Sequence, residues 1–203
     1  FLDRHDIAAG EDWEARLGGL IESADTVVFV ISPAAVGSER CGWEVRRAEQ
    51  LSKRVIPVVL VDVPEQQTPH GLKRLNYIFF TEGNSYSLKL GELAKALRVD
   101  FDWIREHTRL GDAARRWQGR DKNAVLLLRG GELDAARAWL AGWKAPAPEP
   151  TDLHRAFINA SETAENAALK DERARLKKQA RVQRIAWYAT GAALAVTLIG
   201  AAL

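Results

Sequence analysis

Hydrophobic positions in this chain come in compact blocks separated by polar stretches with helical spacing. Residues 26 to 32 (TVVFVIS) and 55 to 61 (VIPVVLV) are continuous, largely β-branched apolar runs, the pattern of strands buried on both faces of a parallel sheet. Between them SERCGWEVRRAEQLSK reads as a helix with Ser38 at its N-cap. Cys41, Val45, Ala48 and either Leu51 or Ser52 fall on one face of it. Upstream, EDWEARLGGLIESAD places Trp13, Leu17, Leu20 and Ile21 at helical spacing, with the turn before it at Gly10. Downstream, YIFF at 77 to 80 is a third strand and LKLGELAKALRV at 88 to 99 a closing helix. Strands alternating with helices predict an α/β doubly wound sheet.

From about Asp100 to Trp143 the texture changes to helix rich in arginine and tryptophan, with Trp103, Trp117, Trp139 and Trp143 spread along it. This predicts a small helical unit over 100–144 whose tryptophans build its core. A strand-like run at Leu126 to Leu128, followed by Arg129, Gly130 and Gly131, interrupts it, and a helix restarts at Glu132 or Leu133. APAPEP at 145–150 reads as a stiff proline linker, after which Thr151 and Asp152 form a helix start.

From Thr151 onward there is no proline, and no glycine before Gly191, so a single helix of roughly 80 Å is expected at about 1.5 Å per residue. Its first part, 151–184, ends in Arg173, Arg175, Lys177, Lys178, Arg181 and Arg184. Its last part, IAWYATGAALAVTLIGAAL at 185–203, carries no charge and would rise about 28 Å, close to the roughly 30 Å of a hydrocarbon core. A buried helix of a larger domain is the other source of such a run. The adjoining cations, with Trp187 and Tyr188 at the boundary, favour a single-pass membrane segment with the N-terminal portion in the cytoplasm.

Composition narrows the chemistry. Lysine plus arginine (29) nearly balance aspartate plus glutamate (27), so global charge gives no reason to expect nucleic acid as a partner. Cys41 is the single cysteine; it forms no internal disulfide, and with four scattered histidines it offers no metal-ligand spacing, so no metal is expected. A reducing setting fits. The absence of methionine, the abrupt apolar start at Phe1 and the stop at Leu203 inside an apolar run mark the chain as a fragment of something longer.

Three blocks, FLDRHDIAAGEDW (1 to 13), SADTVVFVISPAAVGSERCGWE (23 to 44) and KRVIPVVL (53 to 60), are similar in order and spacing to the TIR domain family of bacterial signalling proteins, over about residues 1–99. The resemblance implies a flavodoxin-like parallel sheet in 2-1-3-4-5 order. The chain then begins at the end of the second strand, with the first strand missing, and Asp3 to Trp13 forms a mobile loop used in assembly and at the ligand site. It also implies self-association with other TIR domains. Enzymatic members cleave NAD, as substrate and not as cofactor, at the nicotinamide–ribose bond. They use a glutamate on the helix after a Ser-Pro strand end, three residues past the position of Cys41, which is Glu44. Substrate contacts are implied at Asp3, Arg4, Gly10, Ser32 and Cys41. Adaptor members of the family act through association alone and usually lack that glutamate. The stretch from 100 to 160 resembles spacers that follow such domains in multidomain bacterial proteins.

The chemistry at Glu44 stands on its own terms. Nicotinamide leaves as a cationic pyridinium and needs no general acid; what develops is an oxocarbenium-like ribose that one carboxylate stabilises. Glu44 lies about 60° round its helix from Cys41 and near the helix start, where ligands collect in open α/β folds. The plainer role for Glu44 is an ion pair with Arg40 or Arg47, one turn away on either side. For Asp3, Arg4, Asp6 and Gly10, turn geometry and helix capping compete with a phosphate or ribose site. Cys41 reads as a small core residue, without a neighbouring histidine to make it a nucleophile. His107 and His154 read as helix-start or surface residues. Gly130 and Gly131 lack the third glycine and lysine of a phosphate loop.

Overall fold

The structure, a computed structural model, describes residues 12–200, with side chains through residue 185 and at 187. The expected strand end at Phe1 to Asp3 lies outside the described residues. The first helix, α1 (Trp13–Ser23), starts where Asp12 accepts hydrogen bonds from the backbone N–H of Glu14 at 3.0 Å and Ala15 at 3.2 Å, which satisfies donors that the first turn leaves open. There follow β1 (Thr26–Ile31), the short α2 (Pro33–Val36), α3 (Glu39–Gln50), β2 (Arg54–Val59), β3 (Ile78–Phe79) and α4 (Tyr86–Arg98). The three strands form one parallel sheet in the order β1-β2-β3, with Thr26 opposite Arg54 through Ile31 opposite Val59, and Val58 opposite Ile78. Parallel neighbours require crossovers, and α2 with α3 supply the one from β1 to β2.

The core of this half gathers Phe29, Ile31, Val45, Val59 and Leu72 on one side of the sheet. Burial on both faces, expected from the continuous apolar runs, holds for β2, where Ile56, Pro57, Val58 and Val59 are all buried, but not for β1, where Val28 and Val30 are 39% and 43% exposed; Leu60 and Phe79 are exposed too. The reason is placement. Among the strands, α4 makes its main contact with β3 and has no buried residue of its own, so it leaves that face of β1 uncovered among the described residues.

The second half is helical: α5 (Phe101–Gly119), α6 (Gly131–Ala141) and the first turns of α7 (Asp152–Gly200). Leu110, Ala114, Leu133, Ala136 and Phe157 are all fully buried where the three meet, and Trp117 and Trp139 lie in the same cluster. The strand-like run near Leu126 is instead a single 3₁₀ turn at Ala124–Leu126. Its chain is fixed by Ser161, whose hydroxyl accepts from the Leu128 N–H at 3.1 Å and donates to the Phe157 carbonyl at 2.8 Å. The proline segment at 145–150 is no free linker. Trp103 Nε1 donates to the Pro148 carbonyl at 2.9 Å, His107 Nε2 lies 3.2 Å from the Glu149 carbonyl, and Pro150 is buried. Side chains of α5 thus meet two of its backbone acceptors.

The start of α7 is fixed by Thr151, whose hydroxyl accepts from the His154 N–H at 3.3 Å. Past residue 165 every described side chain of α7 through Ile185 is exposed. The helical backbone continues to Gly200. No helix among the described residues is long and apolar enough to cross a membrane, and most side chains of 185–203, the segment expected to span, lie outside the described residues.

Candidate functional site

The amphipathic α3 carries the residues that the sequence marked for chemistry. Ser38 caps it by accepting from the Cys41 N–H at 3.4 Å, and Ser32 caps α2 by accepting from the Ala35 N–H at 3.3 Å. Ser32 thus has a structural task at the carboxyl end of β1. Val45 and Ala48 turn inward and are buried, while Cys41, half-buried, packs against the sheet core formed by Phe29, Ile31 and Val45. Glu44, next to Val45, is half-buried at the edge of that face. Of the two arginines expected to pair with it, Arg47 reaches Glu22 of α1 and Arg40 lies over the Trp13 ring, 4.3 Å from its centroid. Trp13 in turn meets Trp43 edge to face at 5.5 Å, so the residue beside Glu44 is held against the start of α1. Asp3, Arg4 and Gly10 lie outside the described residues.

A cavity of about 300 Å³ opens at the carboxyl ends of the strands, walled by Ile31, Val59, Asp62, Glu65, Lys73 and Tyr77 among others. This is where open parallel sheets place ligands. Burial, reinforced by the Glu65 carboxylate, pushes the Tyr77 phenol up and keeps it protonated. Glu44, Ser32 and Cys41 are not part of that wall. No group of three His, Cys, Asp or Glu side chains among the described residues is arranged to hold a metal.

The strongest electrostatic perturbations lie elsewhere, at the junction of the two halves. His107 and His154, expected at helix starts or on the surface, are each only 2% exposed. Their rings sit 4.5 Å apart, His154 Nε2 lies 2.9 Å from the His107 carbonyl and Nδ1 lies 2.6 Å from the Thr151 hydroxyl. Burial first and the second imidazole next hold His107 down at about 3, and burial lowers His154 as well. Neutral imidazoles act here as hydrogen-bonding core residues. Gly111 makes the contact feasible, since a Cβ there would stand 3.2 Å from His154 Nε2. Lys53, 8% exposed, donates to the Thr108 hydroxyl at 3.2 Å, and burial followed by repulsion from Arg115 lowers it to about 8. Arg115 bridges to Glu22 at 3.6 Å and pairs with Asp112, while Arg54 donates to the Val99 carbonyl at 2.6 Å. A second cavity, about 500 Å³, lies beside this junction between Gln50, Ser52, Arg115, Thr151 and Arg155. The sequence held one cue to the histidine pair. Both fall in register with buried neighbours, His107 three residues before Leu110 and His154 three before Phe157.

Comparison with known families places the first half. Residues 1–94 match the family model of the TIR domain, and the small parallel sheet with flanking helices is consistent with that α/β fold. No curated protein matches the chain.

Proposed function

We propose that this chain is a membrane-tethered signalling module whose TIR-matching half cleaves NAD at the nicotinamide–ribose bond when copies cluster. The observation that carries the reading is Glu44: a half-buried carboxylate on the capped helix after the Ser32–Pro33 strand end, within the segment that matches the TIR family. Its part would be to stabilise the positive charge that grows on the ribose as the pyridinium departs, a role that needs placement and charge but no proton transfer to the leaving group. The apolar run 185–203, with its upstream cations, is the tether, and the positive-inside rule places the TIR-matching half in the cytoplasm. A second reading, an adaptor that acts only through association with other TIR domains, draws support from the strand-end cavity, whose wall does not include Glu44.

The deciding experiment is NAD turnover by the intact protein, clustered artificially, beside Glu44→Gln and Glu44→Ala. Enzyme chemistry predicts a fall of about 10²- to 10³-fold in turnover, while the melting temperature moves by no more than about 1 kcal/mol would produce. Normal cleavage in both variants removes Glu44 from the mechanism; no cleavage by the clustered wild type selects the adaptor. For the tether, a cysteine introduced before Thr151 should be shielded from a membrane-impermeant thiol reagent in intact cells, and labelling at the level of an external control would reverse the topology.

A further inference from the structure

The stretch of α7 beyond the helical core is a bare helix. Residues 166–185 are exposed at every position, a run of about 30 Å at 1.5 Å per residue. A single solvated helix of that length is marginal in water without packing. Charge is sorted along it. Asp171 and Glu172 are its last acidic residues, and the next twelve positions hold Arg173, Arg175, Lys177, Lys178, Arg181 and Arg184 with no carboxylate. None of the six cations forms an ion pair among the described residues. Interleaved with them, Leu176, Val182 and Ile185 are 57%, 59% and 59% exposed.

We propose that residues 173–185 form a docking surface for anionic lipid headgroups, with the cations paired to phosphates and the aliphatic side chains set into the boundary between headgroups and acyl chains. Charge complementarity chooses this occupant over a second copy of the chain. Two copies packed side by side in parallel along this stretch would bring six cations against six at less than the Debye length, about 8 Å at physiological salt. The exposed aliphatic residues choose it over nucleic acid, whose backbone offers them nothing, whereas an interface offers both phosphate and hydrocarbon. The inference deepens the membrane part of the proposed function. It rests on that reading for the bilayer as partner, but not on residues 185–203 crossing it.

The test gives the full chain a choice between dense vesicles with about 30% phosphatidylglycerol and light vesicles of phosphatidylcholine alone, separated by centrifugation. The wild type should collect on the anionic vesicles by up to about 10⁴-fold at about 0.1 M salt, near fivefold for each of its six cations, and the preference should fall steeply at about 0.5 M. Lys177→Gln, Lys178→Gln and Arg181→Gln together should cut it by about 100-fold, near fivefold per cation, with unchanged helicity because all three are exposed. Equal partition between the two vesicle types, or a triple variant that keeps the preference, overturns the inference. So does release from anionic vesicles by an equimolar DNA duplex, or dimerisation in the absence of lipid that the triple variant strengthens. The tether fails separately: binding to neutral vesicles without preference supports insertion while refuting headgroup docking. Anionic preference with complete release by salt does the reverse.

Discussion

Phe157 and Leu110 are sealed in the helical half, while Val28 and Val30, equally apolar and on a strand of the sheet, are 39% and 43% exposed. The two halves obtain their cover differently. In the helical half, α5, α6 and α7 follow one another, and each buries its apolar stripe against the next, with the 145–150 segment strapped to α5 by Trp103 and His107. A parallel sheet needs helices on both faces, and a crossover such as α3 covers only one of them, so the other face depends on further helices. Here α1 and α3 pack on each other beside one face, and α4 reaches β3 but not β1 as its main strand contact. Among the described residues the helical unit therefore closes its own core, while β1 of the sheet keeps apolar side chains exposed.

The contrast is broken most forcefully in the bundle core. Phe157→Ala should cost about 3 to 5 kcal/mol, since a fully buried aromatic leaves a cavity among packed helices. A urea titration reads it, and a loss under about 1 kcal/mol would mean the bundle closes over the gap. Next is pH. His107 is held at about 3 against 6.5 for the free side chain, so the unfolded chain takes up the proton first. Stability is then full above about 6.5 and is lost as pH falls toward 3, by about 2 kcal/mol at pH 5 from this group alone. His154 is shifted the same way. His107→Gln should flatten the slope; an unchanged slope would place the pH sensitivity elsewhere.

Smaller effects probe the seam and the open face. Glu22→Gln loosens its links to both Arg47 and Arg115. With each partner a quarter to a third exposed, the loss should be about 1 kcal/mol and shrink with salt. A salt-independent loss would mean that packing and not charge joins α1 to α5. Smallest should be Val30→Ser, about 0.5 kcal/mol in the isolated chain because the side chain is already half in water. A loss above about 2 kcal/mol would show that this face is covered in solution.

Much of the secondary structure was legible. The runs at 26–32 and 55–61, the Ser38 cap and the spacing of Val45 and Ala48 led to β1, β2 and α3 as observed, because β-branched runs and capping are local signals. The strand-like reading of 126–128 failed because Leu126 closes a 3₁₀ turn and the N–H of Leu128, just past it, donates to Ser161 far along the chain instead of to a neighbouring strand. The linker reading of 145–150 failed because an indole and an imidazole on α5 meet its carbonyls. At the candidate site the sequence placed Glu44, Cys41 and Ser32 on their elements, but not the partners of the arginines around Glu44. Arg47 goes to Glu22 and Arg40 to Trp13, both on α1.

By itself, then, the sequence determined the order of strands and helices from Trp13 to Arg98 and the charge sorting along the last helix, since each is written in neighbouring residues. Only the tertiary structure decided that His107 and His154 are buried together, that Lys53 is drawn into the junction beside Thr108, and that β1 shows an apolar face. Those outcomes depend on which segments meet across long separations in the chain, and a residue's own periodicity carries no record of its partner.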